Sequence, residues 1–85
     1  MSKLFNKIQK IVADQFGVDP DSILPSTSFV DDLNADTSEL AELITIVEEK
    51  FSNSKQKLEI PTKDVETFMF IQDLVDYLND HLTED

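Results

Sequence analysis

The stretch NADTSELAELITIVEEKF, residues 34–51, contains both a helix start and a long apolar stripe. Asp36 and Glu39 lie three residues apart and form an acidic variant of the capping box, which predicts that a helix begins at Thr37. Its apolar residues then recur at steps of three and four, the spacing of one helix face: Leu40, Leu43, Ile44, Val47 and Phe51. The stretch therefore predicts an amphipathic helix from about Thr37 to Phe51.

Similar stripes predict helices near both ends of the chain. The first stripe, with Ser2 as a possible N-cap and Gly17 at the C′ position, is made by Leu4, Ile8, Ile11, Val12 and Phe16. The last is made by Ile71, Leu74, Val75, Leu78 and Leu82. Residues 61–67 predict a short third helix, and SNSKQK, residues 52–57, reads as a flexible polar connection.

Residues 18–36 predict a long first loop, because they contain two prolines and many Ser, Thr and Asp residues. The loop also carries apolar side chains, which we expect to pin it to the core: Ile23, Leu24, Phe29, Val30 and Leu33. Met69 and Phe70 are expected to be core residues or a cover for a thin core.

Composition sets the fold class and excludes several functions. A chain of 85 residues with a single glycine and no cysteine predicts one all-α domain, residues 1–85, without disulfides or thiolate chemistry. Its longest apolar run is residues 68–71 and its N-terminus resembles no signal peptide, which predicts a cytoplasmic protein with no membrane span. The net charge of −11, without any arginine, disfavours nucleic acid and anionic lipid and favours basic protein partners.

The negative charge is concentrated in one segment. No basic residue occurs between Lys10 and Lys50, whereas many acidic residues do: Asp14, Asp19, Asp21, Asp31, Asp32, Asp36, Glu39, Glu42, Glu48 and Glu49. Such a run is often only a solvated surface. It also suits docking to lysine- and arginine-rich surfaces, which is the interpretation we favour.

Metal binding and catalysis have weaker signals. Asp32, Asn34 and Asp36 match positions one, three and five of a calcium-binding EF-hand loop. Position six, which requires glycine, is Thr37, and position twelve, which requires glutamate, is Leu43. We therefore predict no metal site. The single histidine, His81, lies near the end of the last predicted helix, which does not suggest an enzyme.

Taken together, three segments resemble the acyl carrier protein family over nearly the whole chain. FGVDPDSILPSTSFVDDLNAD is similar to the family's long first loop, ELAELITIVEEKF to its acidic second helix, and LEIPTKDVETFMFIQDLVDYL to its third and fourth helices. The resemblance implies a small four-helix bundle with a long first loop and a short third helix. It also implies an acyl carrier that holds its cargo on a phosphopantetheine arm in fatty-acid or related biosynthesis.

The attachment motif departs from the family pattern. The family has Asp-Ser-Leu after Gly-Ala, whereas here Asn34 stands at the glycine position, Thr37 at the serine position and Ser38 at the leucine position. The resemblance leaves Thr37 and Ser38 as the candidate attachment residues. Two further departures are a longer connection between Phe51 and Pro61, and Phe70 where the family often has a capping threonine.

The resemblance and the acidic segment also imply partners. We expect a monomer that docks on basic surfaces of acyl-processing enzymes and of a phosphopantetheinyl transferase. The candidate docking residues are Asp36, Glu42, Ile46, Glu48 and Glu49. The alternative hypothesis is an unmodified module of the same fold, which docks basic partners through its acidic second helix and carries no arm.

Overall fold

The computed structural model describes residues 3–52 and 57–81. In these ranges the chain forms four α-helices and no β-strand, which confirms the predicted all-α fold. The helices are α1, Lys3–Phe16; α2, Thr37–Phe51; α3, Thr62–Val65; and α4, Ile71–His81. A single 3₁₀ turn, Pro20–Ser22, lies within the long first loop.

The helices surround one apolar core. Its fully buried helical side chains come from α1, α2 and α4: Ile8, Val12, Leu43, Val47, Ile71, Leu74 and Leu78. The three predicted stripes are thereby confirmed, except that Leu82 lies outside the described residues. The α1 stripe is wider than predicted, because Phe5 and Ala13 are also buried.

The end of α1 matches its prediction. Gly17 adopts a φ of 67°, and the N–H of Val18 donates to the carbonyl of Ala13 at 3.0 Å, the six-to-one bond of a Schellman helix end. A side chain at position 17 would meet no steric clash, so the left-handed backbone is what favours glycine there. Ser2, the predicted N-cap, lies outside the described residues.

The long first loop, residues 17–36, is fixed to the core by fewer side chains than expected. Ile23 and Phe29 are fully buried and Leu33 is half-buried. The prediction was wrong for Leu24 and Val30, which are 51% and 62% exposed. One polar residue of the loop, Thr27, is also buried, and within the loop its hydroxyl accepts a hydrogen bond from the N–H of Leu24 at 2.8 Å.

The loop also lies along the start of α4. Ser28 and Phe70 form an isolated antiparallel bridge, and the N–H of Phe29 donates to the carbonyl of Met69 at 3.1 Å. Two N–H groups of the first turn of α4 donate back to the loop at 2.9 Å, from Ile71 to Thr27 and from Gln72 to Pro25. The first loop thus supplies acceptors that α4 cannot provide for itself.

The connection from α2 to α3 packs more closely than its polar sequence suggested. Leu58 and Ile60 are buried, and each is held to α2 through its backbone. The N–H of Leu58 donates to Ser52 Oγ at 2.8 Å, and the N–H of Ile60 donates to Glu48 Oε2 at 2.7 Å. Residues 53–56 of the predicted flexible connection lie outside the described residues.

Candidate functional site

The start of α2 is built by its capping box. The N–H of Glu39 donates to Asp36 Oδ1 at 2.8 Å, and the N–H of Asp36 donates to Glu39 Oε1 at 3.1 Å. Asp36 has the extended backbone of an N-cap residue, so the predicted box is confirmed and the helix begins at Thr37. Asn34 has a φ of 55°, a left-handed conformation that asparagine adopts more readily than most residues. Asparagine is therefore a workable substitute at a position where the family has glycine.

Thr37 and Ser38 occupy the first two positions of the helix and are both exposed. Within the described residues, neither their hydroxyls nor their backbone N–H groups make a hydrogen bond. Unpaired N–H groups at a helix N-terminus, together with the positive end of the helix dipole, favour a bound phosphate. This point of the surface therefore offers two hydroxyls beside an anion-stabilising helix end.

A cavity of about 460 Å³ opens next to Thr37. Its walls come from four separate parts of the chain: Leu40 and Ile44 on α2, Val65 on α3, Phe68 after α3, and Val30 on the first loop. Thr37 lines this cavity, whereas Ser38, also within the described part of the chain, does not. The two candidate hydroxyls thus differ in their position relative to an apolar recess.

The acidic side chains of α2 differ in the hydrogen bonds that they make with the rest of the fold. Glu42 accepts a hydrogen bond from Gln15 Nε2 at 2.9 Å, which links α2 to α1 at the surface. Glu48 is half-buried and holds the backbone of Ile60. Glu49 is exposed and, within the described residues, has neither an ion pair nor a hydrogen bond. Glu49 is therefore the acid of this group whose carboxylate is most available.

Ile46, the predicted apolar docking residue, is half-buried in a surface hollow between α1 and α2. Lys10 and Lys50 line the same hollow, so the surroundings of Ile46 are less acidic than the sequence alone suggested. The docking role of Ile46 and of the acids stays a prediction.

The carboxylates that resembled an EF-hand serve the backbone instead. Asp32 accepts a hydrogen bond from the N–H of Ser28 at 2.7 Å, and Asp36 caps α2. In the described ranges, no group of three or more histidine, aspartate or glutamate side chains is arranged to hold a metal ion. The same ranges contain no helix that is long and apolar enough to span a membrane.

The fold and this site define a class of carrier domains. A family model described as "Phosphopantetheine attachment site" matches residues 6–78. The chain is 41% identical over 78 residues to an acyl carrier protein of Thermosynechococcus vestitus, covering 92% of this chain and 90% of that one. It is 42% identical over 72 residues to an acyl carrier protein of Bdellovibrio bacteriovorus, covering 85% of this chain and 86% of the relative.

The chain therefore belongs to the acyl carrier protein family. Phosphopantetheine is the prosthetic group of this family, and the residues at the start of α2 fit it. They provide exposed hydroxyls for a phosphodiester, unpaired N–H groups for its charge, and a neighbouring cavity. The candidate attachment residues had a sequence signal. The cavity had none, because its walls meet only in the folded chain.

Proposed function

We propose that the chain carries acyl groups on phosphopantetheine attached to Thr37, in fatty-acid or related biosynthesis. The observation that supports Thr37 over Ser38 is that Thr37 borders the apolar cavity while both hydroxyls are exposed. An arm that starts at Thr37 has the shorter path into that recess.

The residues of the chain hold and orient the arm. The N–H groups of Thr37 and Ser38 face no competing acceptor in the described residues, so they are available to a phosphodiester at the helix start. Asp36 keeps the helix start in place, and its carboxylate accepts the N–H of Glu39. When bound, phosphopantetheine supplies a thiol on a long flexible arm, to which an acyl group is joined as a thioester.

The cavity then shelters the cargo. Leu40, Ile44 and Phe68 provide apolar walls, and Thr37 stands at its edge. Burying an acyl chain there removes apolar surface from water and shields the thioester. The chain itself performs no reaction: acyl carrier proteins are carriers, and we propose the same role for this one.

We further propose that the partners are basic surfaces of a phosphopantetheinyl transferase and of acyl-processing enzymes. Asp36, Glu42, Ile46, Glu48 and Glu49 form the proposed docking face of a cytoplasmic monomer. Glu49, whose carboxylate makes no ion pair or hydrogen bond in the described residues, is expected to contribute most to electrostatic attraction. Glu48 is expected to act mainly through the position of Ile60.

An intact mass of the protein purified from its own cells tests whether an arm is present. Peptide mapping should then place the arm on Thr37. In a reaction with coenzyme A and a broad-specificity phosphopantetheinyl transferase, Thr37→Ala should abolish modification and Ser38→Ala should leave it unchanged. The opposite pattern would move the site to Ser38. Absence of an arm in both settings would favour the unmodified module, which the known relatives do not support.

The docking face is tested by the double substitution Glu42→Lys and Glu49→Lys. Reversing these charges should slow association with the transferase by about tenfold at low salt, while helical content stays unchanged. Lys50→Glu is a control on the same helix and should not slow association. Equal on-rates for wild type and double variant, with equal salt dependence, would show that these acids contribute to solubility and not to docking.

A further inference from the structure

The exposed large apolar side chains are unevenly distributed over the described residues. They are Val18, Leu24, Val30, Met69 and Phe70, and none of them lies on α2. The exposed positions of α2 carry small, polar or charged side chains such as Ala41, Thr45 and Glu49. The proposed docking helix therefore offers a partner charge but little apolar surface.

Three of these exposed residues lie on two segments joined backbone to backbone. Val30 follows Phe29, whose N–H donates to the carbonyl of Met69, and Phe70 forms the bridge with Ser28. We call Val30, Met69 and Phe70 the apolar edge. They are 62%, 62% and 42% exposed.

The apolar edge is held in a defined position. Asp73 Oδ2 accepts hydrogen bonds from the N–H groups of Met69 and Phe70, at 2.9 and 3.0 Å. The bonds between the first loop and α4 fix the other side. Exposed apolar side chains that lie together on a surface are typical of sites that another molecule covers.

Phe70 is not needed as a cap at the start of α4. Its position precedes α4, where a hydroxyl side chain often caps a helix. The first loop already accepts the N–H groups of Ile71 and Gln72, so the position needs no capping side chain. Helix capping therefore does not require a particular side chain here, and the phenylalanine leaves 42% of its surface in water.

Val30, one residue of the apolar edge, lies beside the proposed attachment residue. Val30 and Thr37 line the same cavity, so an enzyme that reaches the arm at Thr37 also comes close to Val30. Glu66 lines that cavity too, and Asp31 and Asp32 directly follow Val30. The surroundings of the edge are therefore mainly acidic.

The acidic surroundings of the apolar edge disfavour negatively charged partners. A second copy of the chain would bring another net charge of −11 to an acidic region, and an anionic lipid surface would be repelled in the same way. We propose that a partner enzyme docks on the apolar edge through an apolar recess rimmed by lysine or arginine. This inference rests on the proposed carrier function and adds a contact outside α2.

The test compares the double variant Met69→Thr and Phe70→Thr with the control Leu24→Thr, an exposed apolar residue outside the edge. Binding of each full chain to a broad-specificity phosphopantetheinyl transferase and to an acyl-loading transferase is measured by surface plasmon resonance at two salt concentrations. The double variant should lose about tenfold or more in affinity for at least one enzyme, mainly through faster dissociation. Its salt dependence should match wild type, and the control should bind normally.

Two results would overturn the inference. One is unchanged affinity of the double variant for both enzymes. A loss of affinity could also come from a folding defect, so the single variants Met69→Thr and Phe70→Thr are measured too, and circular dichroism checks the helical content of each variant. The other is a wild-type dimer in sedimentation velocity that the double variant dissolves, which would make a second copy the occupant. Mass spectrometry separates this inference from the proposed function: if Thr37 is modified but the edge variants bind normally, only the edge proposal fails. If the edge variants bind weakly while Thr37 never accepts an arm, only the carrier proposal fails.

Discussion

The starts of α2 and α4 meet the same requirement in different ways. Each helix begins with N–H groups that have no partner within the helix. At α2, the side chains of Asp36 and Glu39 accept one another's backbone N–H groups. At α4, the carbonyls of Thr27 and Pro25 in the first loop accept the helical N–H groups.

This difference explains which side chains are exposed at the start of each helix. The cap of α2 is local, so its first residues face water and Thr37 is available for modification. At α4 a distant segment accepts the N–H groups of Ile71 and Gln72, so position 70 needs no capping side chain and carries a phenylalanine that is 42% exposed. The local cap of α2 leaves the hydroxyl of Thr37 exposed. The acceptors that the first loop supplies to α4 allow an apolar residue at position 70.

The largest effect on stability is expected from a substitution of the residue that anchors the first loop. Phe29 is fully buried between the loop and the core, so Phe29→Ala should cost about 3–5 kcal/mol of unfolding free energy in urea denaturation. Phe70→Ala makes the same chemical change at a residue that is 42% exposed, so it should cost less unfolding free energy than Phe29→Ala. Similar losses for both variants would show that burial of Phe29 stabilises the fold no more than Phe70 does.

The next effect concerns Thr37 and the rate at which the arm is transferred to it. Thr37→Ser replaces a hindered secondary alcohol with a primary one, so transfer of the arm should accelerate by up to about a hundredfold, or about 2.7 kcal/mol of activation free energy. Adding Ser38→Leu rebuilds the family motif and should retain that gain. Timed mass spectra of the transferase reaction measure it. A wild-type rate equal to that of Thr37→Ser would mean that the methyl group does not hinder the oxygen.

A smaller effect is expected from the local cap itself. Asp36→Ala removes the acceptor for the N–H of Glu39 and should cost about 1 kcal/mol of unfolding free energy. Asp31→Ala removes the same charge from a side chain that makes no hydrogen bond in the described residues, and serves as the control. If both substitutions had the same effect on urea denaturation, charge rather than capping would dominate at Asp36.

The smallest effect is expected where a cap is restored to α4. Phe70→Thr introduces a capping side chain, but Ile71 and Gln72 already have acceptors in the first loop. Its unfolding free energy should therefore lie within about 0.5 kcal/mol of that of Phe70→Ala, which loses the same ring. A gain near 1 kcal/mol over Phe70→Ala would show that the tertiary cap is incomplete.

The parts of the fold that could be predicted are those with local causes. The capping box, the C′ glycine and the apolar stripes depend on residues within a few positions of one another, and each was confirmed. Residues 61–67 were predicted to hold a short third helix, and α3 lies within them. The start of α2 could likewise be placed at Thr37 from the spacing of Asp36 and Glu39.

The parts that could not be predicted depend on contacts between distant segments. Met69 and Phe70 were expected to be core or cover, but bonding between the first loop and α4 leaves both side chains exposed. Glu48 looked like one more surface acid, yet it accepts a hydrogen bond from Ile60, twelve residues away. Apolarity alone does not say which side chains of an irregular segment face inward.

The two hydrogen bonds that fasten Leu58 and Ile60 to α2 have a consequence for how this gene can change. They fix the chain directly after residues 53–56, so the cavity wall at Ile60 does not depend on the length of the link before it. Lengthening a link costs only about 0.6 kcal/mol for each doubling. We therefore expect that codons gained or lost at this position would leave the proposed carrier site undisturbed. The same interval is a suitable place to insert an epitope or a fluorescent label.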